Sequence, residues 1–256
     1  MKIEQIAAQL YTCRNLLQNP ADIAATLARL RKVGYRAVQI SGMAPIPEEE
    51  LNRILDGEGL VCCATHEGSQ TILDEPAKVV ERLQKLRCKY TAYPFPGGVD
   101  LGSAASVDEM IAKLDAAGAV LAAAGLTLCY HNHHHEFRKL EGRTIFERIF
   151  EKTNPAHVQG EPDTYWVQHG GGDNIAWCRR LKGRLPLIHL KDYVVNSESK
   201  PAYCEIGNGN LDFKAIVAAA EESGCEWFIV EQDECPGDPV DSLAQSFNHL
   251  VNHVCS

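Results

Sequence analysis

Gly125-Leu126-Thr127-Leu128-Cys129-Tyr130-His131-Asn132-His133-His134-His135-Glu136-Phe137 follows an Ala-rich stretch from Val107 to Ala124 whose apolar positions recur at helical spacing. Glycine commonly stands just past a helix C-terminus, so Gly125 marks the stop. Leu126 to His131 then reads as a strand, and the chain leaves it through four histidines and a carboxylate. Alternate strand residues point to one side, which puts His131 and His133 together and turns Asn132 away. Imidazole and carboxylate suit divalent metals or acid–base chemistry.

The same unit repeats outward in both directions. Ile6 to Leu10 reads as a strand and Pro20 to Val33 as a helix, with Ile23, Leu27, Leu30 and Val33 on one stripe and Gly34 at its end. Strand-like runs follow at Ala37–Ile40, Leu60–Ala64, Tyr90–Tyr93, Val158–Glu161, Leu185–Leu190 and Trp227–Val230. Helices fall at 48–55, 76–86, 145–152, 175–181, 213–223 and 240–254. Eight strand–helix units in a chain of 256 residues have the size and rhythm of a (β/α)8 TIM barrel in a single domain spanning 1–256. A doubly wound open sheet gives the same alternation, but no Gly-x-Gly-x-x-Gly follows the first strand.

Composition narrows the classes. A net charge of −9 with dispersed Lys and Arg argues against a nucleic-acid surface, because phosphate binding needs a clustered positive field. Met1-Lys2-Ile3-Glu4 leads directly into strand-like sequence. The most apolar stretch, 116–130, is too short to span a bilayer and is interrupted by Gly118 and Gly125. The expectation is a cytoplasmic protein without a membrane segment, able to form a homo-oligomer. Ten scattered cysteines without a Cys-x-x-Cys pair read as reduced, buried thiols.

Polar residues gather where the strands end. His66 follows the third, His131 and His133 the fifth, Asp163 the sixth, His189 the seventh and Glu231 the eighth. In a barrel these C-terminal ends meet at one face, where active sites sit. His131, Asp163, His189 and Glu231 then converge as two imidazoles and two carboxylates able to hold a divalent metal (Mn, Zn, Co, Mg or Fe). Asp163 also reads as a turn or helix-cap residue, and His189 as a core histidine. A carboxylate at Glu231, behind the apolar run Trp227 to Val230, is costly unless paired or metal-bound. Asp233 and Glu234 read as a solvated loop, and His249 and His253 as surface. Gly207 and Gly209 could cradle a phosphate.

Several fragments carry a resemblance: Gln9-Leu10-Tyr11, Tyr130-His131-Asn132-His133 with Glu136-Phe137, Asp163-Thr164-Tyr165-Trp166, His189-Leu190-Lys191-Asp192, Gly207-Asn208-Gly209 and Val230-Glu231-Gln232-Asp233. In this order the chain resembles, over nearly its whole length, the xylose-isomerase-like barrels, which include sugar isomerases and epimerases, inosose dehydratases and endonuclease IV. The resemblance implies a metal on His131, Asp163, His189 and Glu231 and a polyol or keto-sugar chelated through adjacent oxygens. Ketose epimerases of this kind carry a glutamate at the strand-five position. Here His131 stands there with Glu136 five residues on, so either His131 is the ligand or the loop folds back and Glu136 replaces it. Trp166 stands where those epimerases have a histidine.

The chemistry expected is removal of a proton alpha to a carbonyl, with the metal polarising the carbonyl and stabilising an enediolate. Glu231, His133 and Glu136 are the expected proton-transfer groups. His66, Trp166, Lys191 and Glu205 are the expected substrate contacts. The first reading is a metal-dependent sugar or polyol isomerase/epimerase. The alternative is a keto-sugar dehydratase/lyase, acting on an inosose or by beta-elimination on a 3-keto-glycoside. An endonuclease-IV-like enzyme would need a basic groove, and a non-catalytic sugar-binding barrel would bind without turnover. The expected partner is a small-molecule sugar or polyol, with no nucleic acid and no membrane.

Overall fold

Eight parallel strands run β1 (Ile6–Gln9), β2 (Ala37–Ile40), β3 (Val61–His66), β4 (Tyr90–Tyr93), β5 (Thr127–His131), β6 (Val158–Glu161), β7 (Leu187–Leu190) and β8 (Trp227–Val230) in a computed structural model that describes residues 1–255. Each of β1 to β5 pairs with its successor, β1 also pairs with β8, and β8 pairs with β7. The seam between β6 and β7 is joined by Gly160 N–H to Arg184 O at 2.8 Å, His189 N–H to Pro162 O at 2.9 Å and a parallel bridge between Asp163 and His189. This is the (β/α)8 barrel that the alternation predicts.

Alternation along the strands separates two cores. Ile6, Ala8, Val38, Leu128, Tyr130, Val158, Ile188, Leu190, Phe228 and Val230 point outward and pack under the helices. Ala7, Ala37, Ala64, Ala92, Cys129, Leu187 and Ile229 form a second cluster inside the barrel. The inner layer is built largely from small side chains. Further along the inward parity, seven of the eight strand ends carry a polar group (Gln9, Gln39, His66, His131, Glu161, His189 and Glu231), and β4 is followed by Pro94 instead. Period-two geometry thus aims the polar ends of apolar strands at a single axial layer.

The helices are α1 (Pro20–Val33), α2 (Glu48–Glu58), α3 (Ser69–Asp74), α4 (Pro76–Lys85), α5 (Ala104–Ala123), α6 (Ile145–Lys152), α7 (Thr164–His169), α8 (Asn174–Arg180), α9 (Phe213–Glu222) and α10 (Pro239–His253). Asn19, Ser103, Thr144, Asp163, Asp173, Asp212 and Asp238 cap seven of them by accepting backbone N–H bonds. None of the helices among the described residues is long and apolar enough to cross a membrane.

Several boundaries differ from expectation. Leu10 leaves the first strand because the Gln9 side chain accepts the Tyr11 N–H and starts a 3-10 segment, Leu10–Leu16. The third strand continues to His66, so that histidine belongs to the sheet rather than to the loop after it. The seventh begins only at Leu187, after Pro186, which has no N–H to give the ladder. Helices α3 and α7 and two hairpins, Lys139–Leu140 with Arg143–Thr144 and Asp192–Val195 with Pro201–Cys204, lie in stretches without a strong periodic signal.

Candidate active site

The mouth at the C-terminal strand ends opens into a cavity of about 570 Å3, lined by His66, His131, His133, Trp166, Lys191, Glu231 and Asp233 with Tyr11, Arg14, Phe95 and Tyr203 towards its rim. At its floor the ligand atoms of His131, Asp163, His189 and Glu231 all lie within 4.8 Å of one another, and all four residues are buried. A second set, His66, His131, Glu161 and His189, meets the same distance and shares two members with the first. Together they describe one centre, with Glu161 and His66 on one flank and Asp163 and Glu231 on the other.

Local structure fixes each group. Asp163 is both a helix cap and a candidate site residue. Its Oδ1 accepts the Trp166 N–H at 2.9 Å, while Oδ2 is buried without a hydrogen bond. The Lys191 ammonium is 3.0 Å from Oδ2 but off a hydrogen-bonding angle. Asn132, which the strand turns away from His131, accepts the Asp163 N–H through Oδ1 at 3.1 Å and so ties the histidine loop to the next strand end. Thr164 Oγ1 holds the following turn, donating to Lys191 O at 2.7 Å and accepting the Lys191 N–H at 2.9 Å.

His189 is fully buried between two carboxylates. Nδ1 is 2.9 Å from Glu231 Oε2, and Nε2 donates to Gln39 Oε1 at 2.6 Å. Gln39 is fixed in turn, accepting from Gln9 Nε2 at 2.7 Å and donating to Glu161 Oε1 at 2.6 Å. This chain orients the His189 ring with Nδ1 toward Glu231 and Asp163. Glu161 Oε2 also accepts from His66 Nε2 at 2.7 Å and lies 3.5 Å from His131 Nδ1.

The electrostatics follow from burial. Desolvation and the neighbouring His189 hold His131 neutral, pulling it down to about 3. Burial alone would lower His189 too, yet Glu161 and Glu231 lift it to about 10. Burial and Glu231, against the opposing pull of Lys191, raise Asp163 to about 6. Burial would raise Glu231, but Lys191 and His189 hold it well below the usual carboxylate range. Lys191, almost entirely buried, stands 2.8 Å from Glu231, 3.0 Å from Asp163 and 3.0 Å from Asp233. Burial would lower its ammonium, yet those three carboxylates keep it charged.

The donor set fits a divalent cation. His131 Nδ1 and Asp163 Oδ2 are buried polar atoms without hydrogen-bond partners, converging with His189 and Glu231. Imidazole and carboxylate are the ligands such ions take, and His189 would give up its Nδ1 proton on binding.

Other expected site residues fall in different places. His133 and Trp166 line the cavity, and Lys191 lies 5.6 Å over the Trp166 ring. Glu136 does not line it. Its Oε1 accepts from Tyr130 OH at 2.9 Å and its Oε2 from His133 N–H at 2.9 Å, so the loop does not fold back to put Glu136 at the strand-five position. Glu205 lies outside the mouth, accepting from Ser242 Oγ at 2.7 Å. Gly207 and Gly209 form no open phosphate cradle, because both amides donate to Asp192 Oδ2, at 2.9 and 3.0 Å. His249 is half-buried against that loop rather than free on the surface.

The mouth residues that were not anticipated include Glu161, Gln39 and Asp233, with Arg14, Phe95 and Tyr203 toward the rim. Gln39 carried a signal as a polar residue at the inward parity of an apolar strand, and Glu161 a fainter one at the same parity of a mixed strand. Asp233, expected in a solvated loop, is instead drawn in by Lys191.

Comparison with known proteins agrees with this architecture. An inosose dehydratase from Geobacillus thermodenitrificans is 27% identical over 159 residues, covering 56% of this chain and 51% of that protein. The chain thus spans about half the length of the curated relatives it matches. A sugar phosphate isomerase/epimerase from Parabacteroides distasonis superposes with a TM-score of 0.81 at 21% identity, covering 98% of this chain and 94% of that one. An L-ribulose 3-epimerase superposes at 0.76 with 15% identity over 98% and 94% of the two chains. At these identities the superpositions speak for the fold. The model of the xylose isomerase-like TIM barrels matches residues 27–253, nearly the whole barrel, and the chain belongs to that family.

Proposed function

We propose that this protein is a divalent-metal-dependent lyase that dehydrates or beta-eliminates a keto-sugar or keto-polyol, beginning with removal of a proton alpha to the carbonyl. Sequence alone puts isomerisation or epimerisation first. The observation that reverses the order is the placement of Glu136. In the ketose epimerases that the chain resembles, a glutamate from strand five pairs with one from strand eight to move a proton between opposite carbon faces. The strand-five end carries His131, and Glu136 is bonded into its own loop. The curated relatives, named inosose dehydratases, favour the same reading.

His131, Asp163, His189 and Glu231 would hold the cation, and when bound it polarises the substrate carbonyl. The chain's own groups do the rest. His133 lines the cavity as a neutral imidazole and is the proposed proton acceptor, with negative charge developing on the substrate offsetting the burial that otherwise opposes its cation. Once cationic it can return that proton to a beta-leaving oxygen on the same face. A C–H and a C–O bond break, a C=C bond forms, and water or an alcohol departs with no oxidant or reductant. The Lys191 ammonium offsets negative charge growing on the carbonyl oxygen. Glu136 serves as a positioning residue, fixing the His133 backbone. His66 and Trp166 wall the substrate space.

The test is a panel of inososes, other keto-sugars and 3-keto-glycosides, incubated with metal-loaded protein in deuterated water and read by mass. A water-depleted or cleaved product supports the proposal. Deuterium gained at constant mass composition, without elimination, would instead establish the isomerase/epimerase reading.

A further inference from the structure

The histidine loop carries more imidazole than the mouth centre uses. We propose that His133, His135 and Glu136 form a second divalent-cation site on the rim, taking a borderline ion such as zinc or nickel.

Three observations carry this. The ligand atoms of the three residues lie within 4.8 Å of one another. His133 Nδ1 and His135 Nε2 are both buried without a hydrogen-bond partner, an unfavourable state for imidazole nitrogens unless something binds them. The third ligand is already in place. Glu136 is 0% exposed, its carboxylate anchored to Tyr130 OH and the His133 amide, and its Oε1 lies 3.3 Å from His135 Nε2.

The His133 and His135 ring centroids lie 5.3 Å apart with 8° between their planes. Phe95 stands edge-on to both, at 5.6 and 5.3 Å, and restricts their rotation. Two imidazoles and one carboxylate match the protein ligand number of open zinc sites, and imidazole-rich sets favour zinc, nickel or copper over magnesium. His133 also lines the mouth cavity, so an ion here borders the substrate space. Coordination through Nδ1 would leave the ring proton on Nε2, so a loaded rim site would keep His133 from accepting a proton.

Chelator-stripped full-length protein, titrated with zinc by calorimetry and checked by metal analysis after equilibrium dialysis, tests this. The wild type should show a binding event beyond that of the mouth centre. His135→Phe should weaken that event by about tenfold or more while the mouth event persists. His189→Ala should do the reverse. Anomalous scattering at the zinc edge from wild-type crystals gives a check free of folding effects, with a peak expected between His133 and His135. A single event insensitive to His135→Phe, or occupation of the mouth without any rim peak, would overturn the proposal.

Discussion

Asp163 and His189 bridge the seam between β6 and β7, so the pair that completes the barrel is also half of its candidate ligand set. The pairing constrains both side chains through backbone that the fold cannot omit. Asp163 Oδ1 caps α7 and Oδ2 faces the site. Closing the sheet therefore also positions these candidate ligands.

That double duty can be separated by substitution. Asn caps helices about as well as Asp, whereas Ala removes the cap at a cost of about 1 kcal/mol. Asp163→Asn should keep near-native thermal stability in chelator and lose metal affinity. Asp163→Ala should lose both. Differential scanning calorimetry with and without metal reads the difference, and equal stability for the two variants would remove the cap from the account.

Lys191 supports a second expectation. Its ammonium compensates Asp163, Glu231 and Asp233 in a buried setting. Lys191→Met leaves those charges uncompensated and should destabilise the metal-free protein by about 3–5 kcal/mol in urea unfolding. Added divalent cation should recover more stability in the variant than in the wild type, because the ion then supplies the missing positive charge. A metal-free variant as stable as wild type would show that the carboxylates do not need the lysine.

The glycine loop is expected to be structural. A Cβ at Gly209 would fall 2.3 Å from Asp192 Oδ1 and 2.6 Å from Tyr193 O, too close for either neighbour. Gly209→Ala should destabilise by about 1–3 kcal/mol. Inorganic phosphate should not raise the wild-type melting temperature through this loop, since Asp192 already takes its amides. A phosphate-dependent stabilisation abolished by Gly209→Ala would contradict that.

An ion pair on the helical layer contributes to the acid limb. Hydrogen bonds from Arg148, against some opposing desolvation, and a further one from Lys152 lower Asp108 to about 2. A carboxyl depressed on folding adds stability above its unfolded value of about 3.9 and loses it as pH falls through the folded value. Asp108 is partly exposed, so solvent screens the effect. Asp108→Asn should flatten the loss of melting temperature between about pH 4 and pH 2. An unchanged acid limb would show that the pair contributes nothing measurable.

Much of this molecule was legible before its structure. Strand positions followed from short apolar runs set off by Gly34, Gly59 and Gly125, and four ligand-type residues followed from their place at strand ends. What escaped depended on tertiary partners. Glu161 looked like an ordinary residue of a weak strand until its parity placed it at the axis beside His66 and Gln39. Asp233 looked solvated because nothing local points to Lys191, 42 residues away. The glycine loop suggested phosphate because the carboxylate that fills it lies 15 and 17 residues upstream.

Residues from four consecutive strand ends, His131, Asp163, His189 and Glu231, are proposed to hold a divalent cation. Manganese retained after gel filtration tests this most directly, because manganese favours the carboxylate-bearing mouth over the imidazole-rich rim. Wild-type protein should retain the ion, and His131→Ala and Glu231→Ala should each lose it while remaining folded by circular dichroism. Full manganese content in both variants would contradict the account.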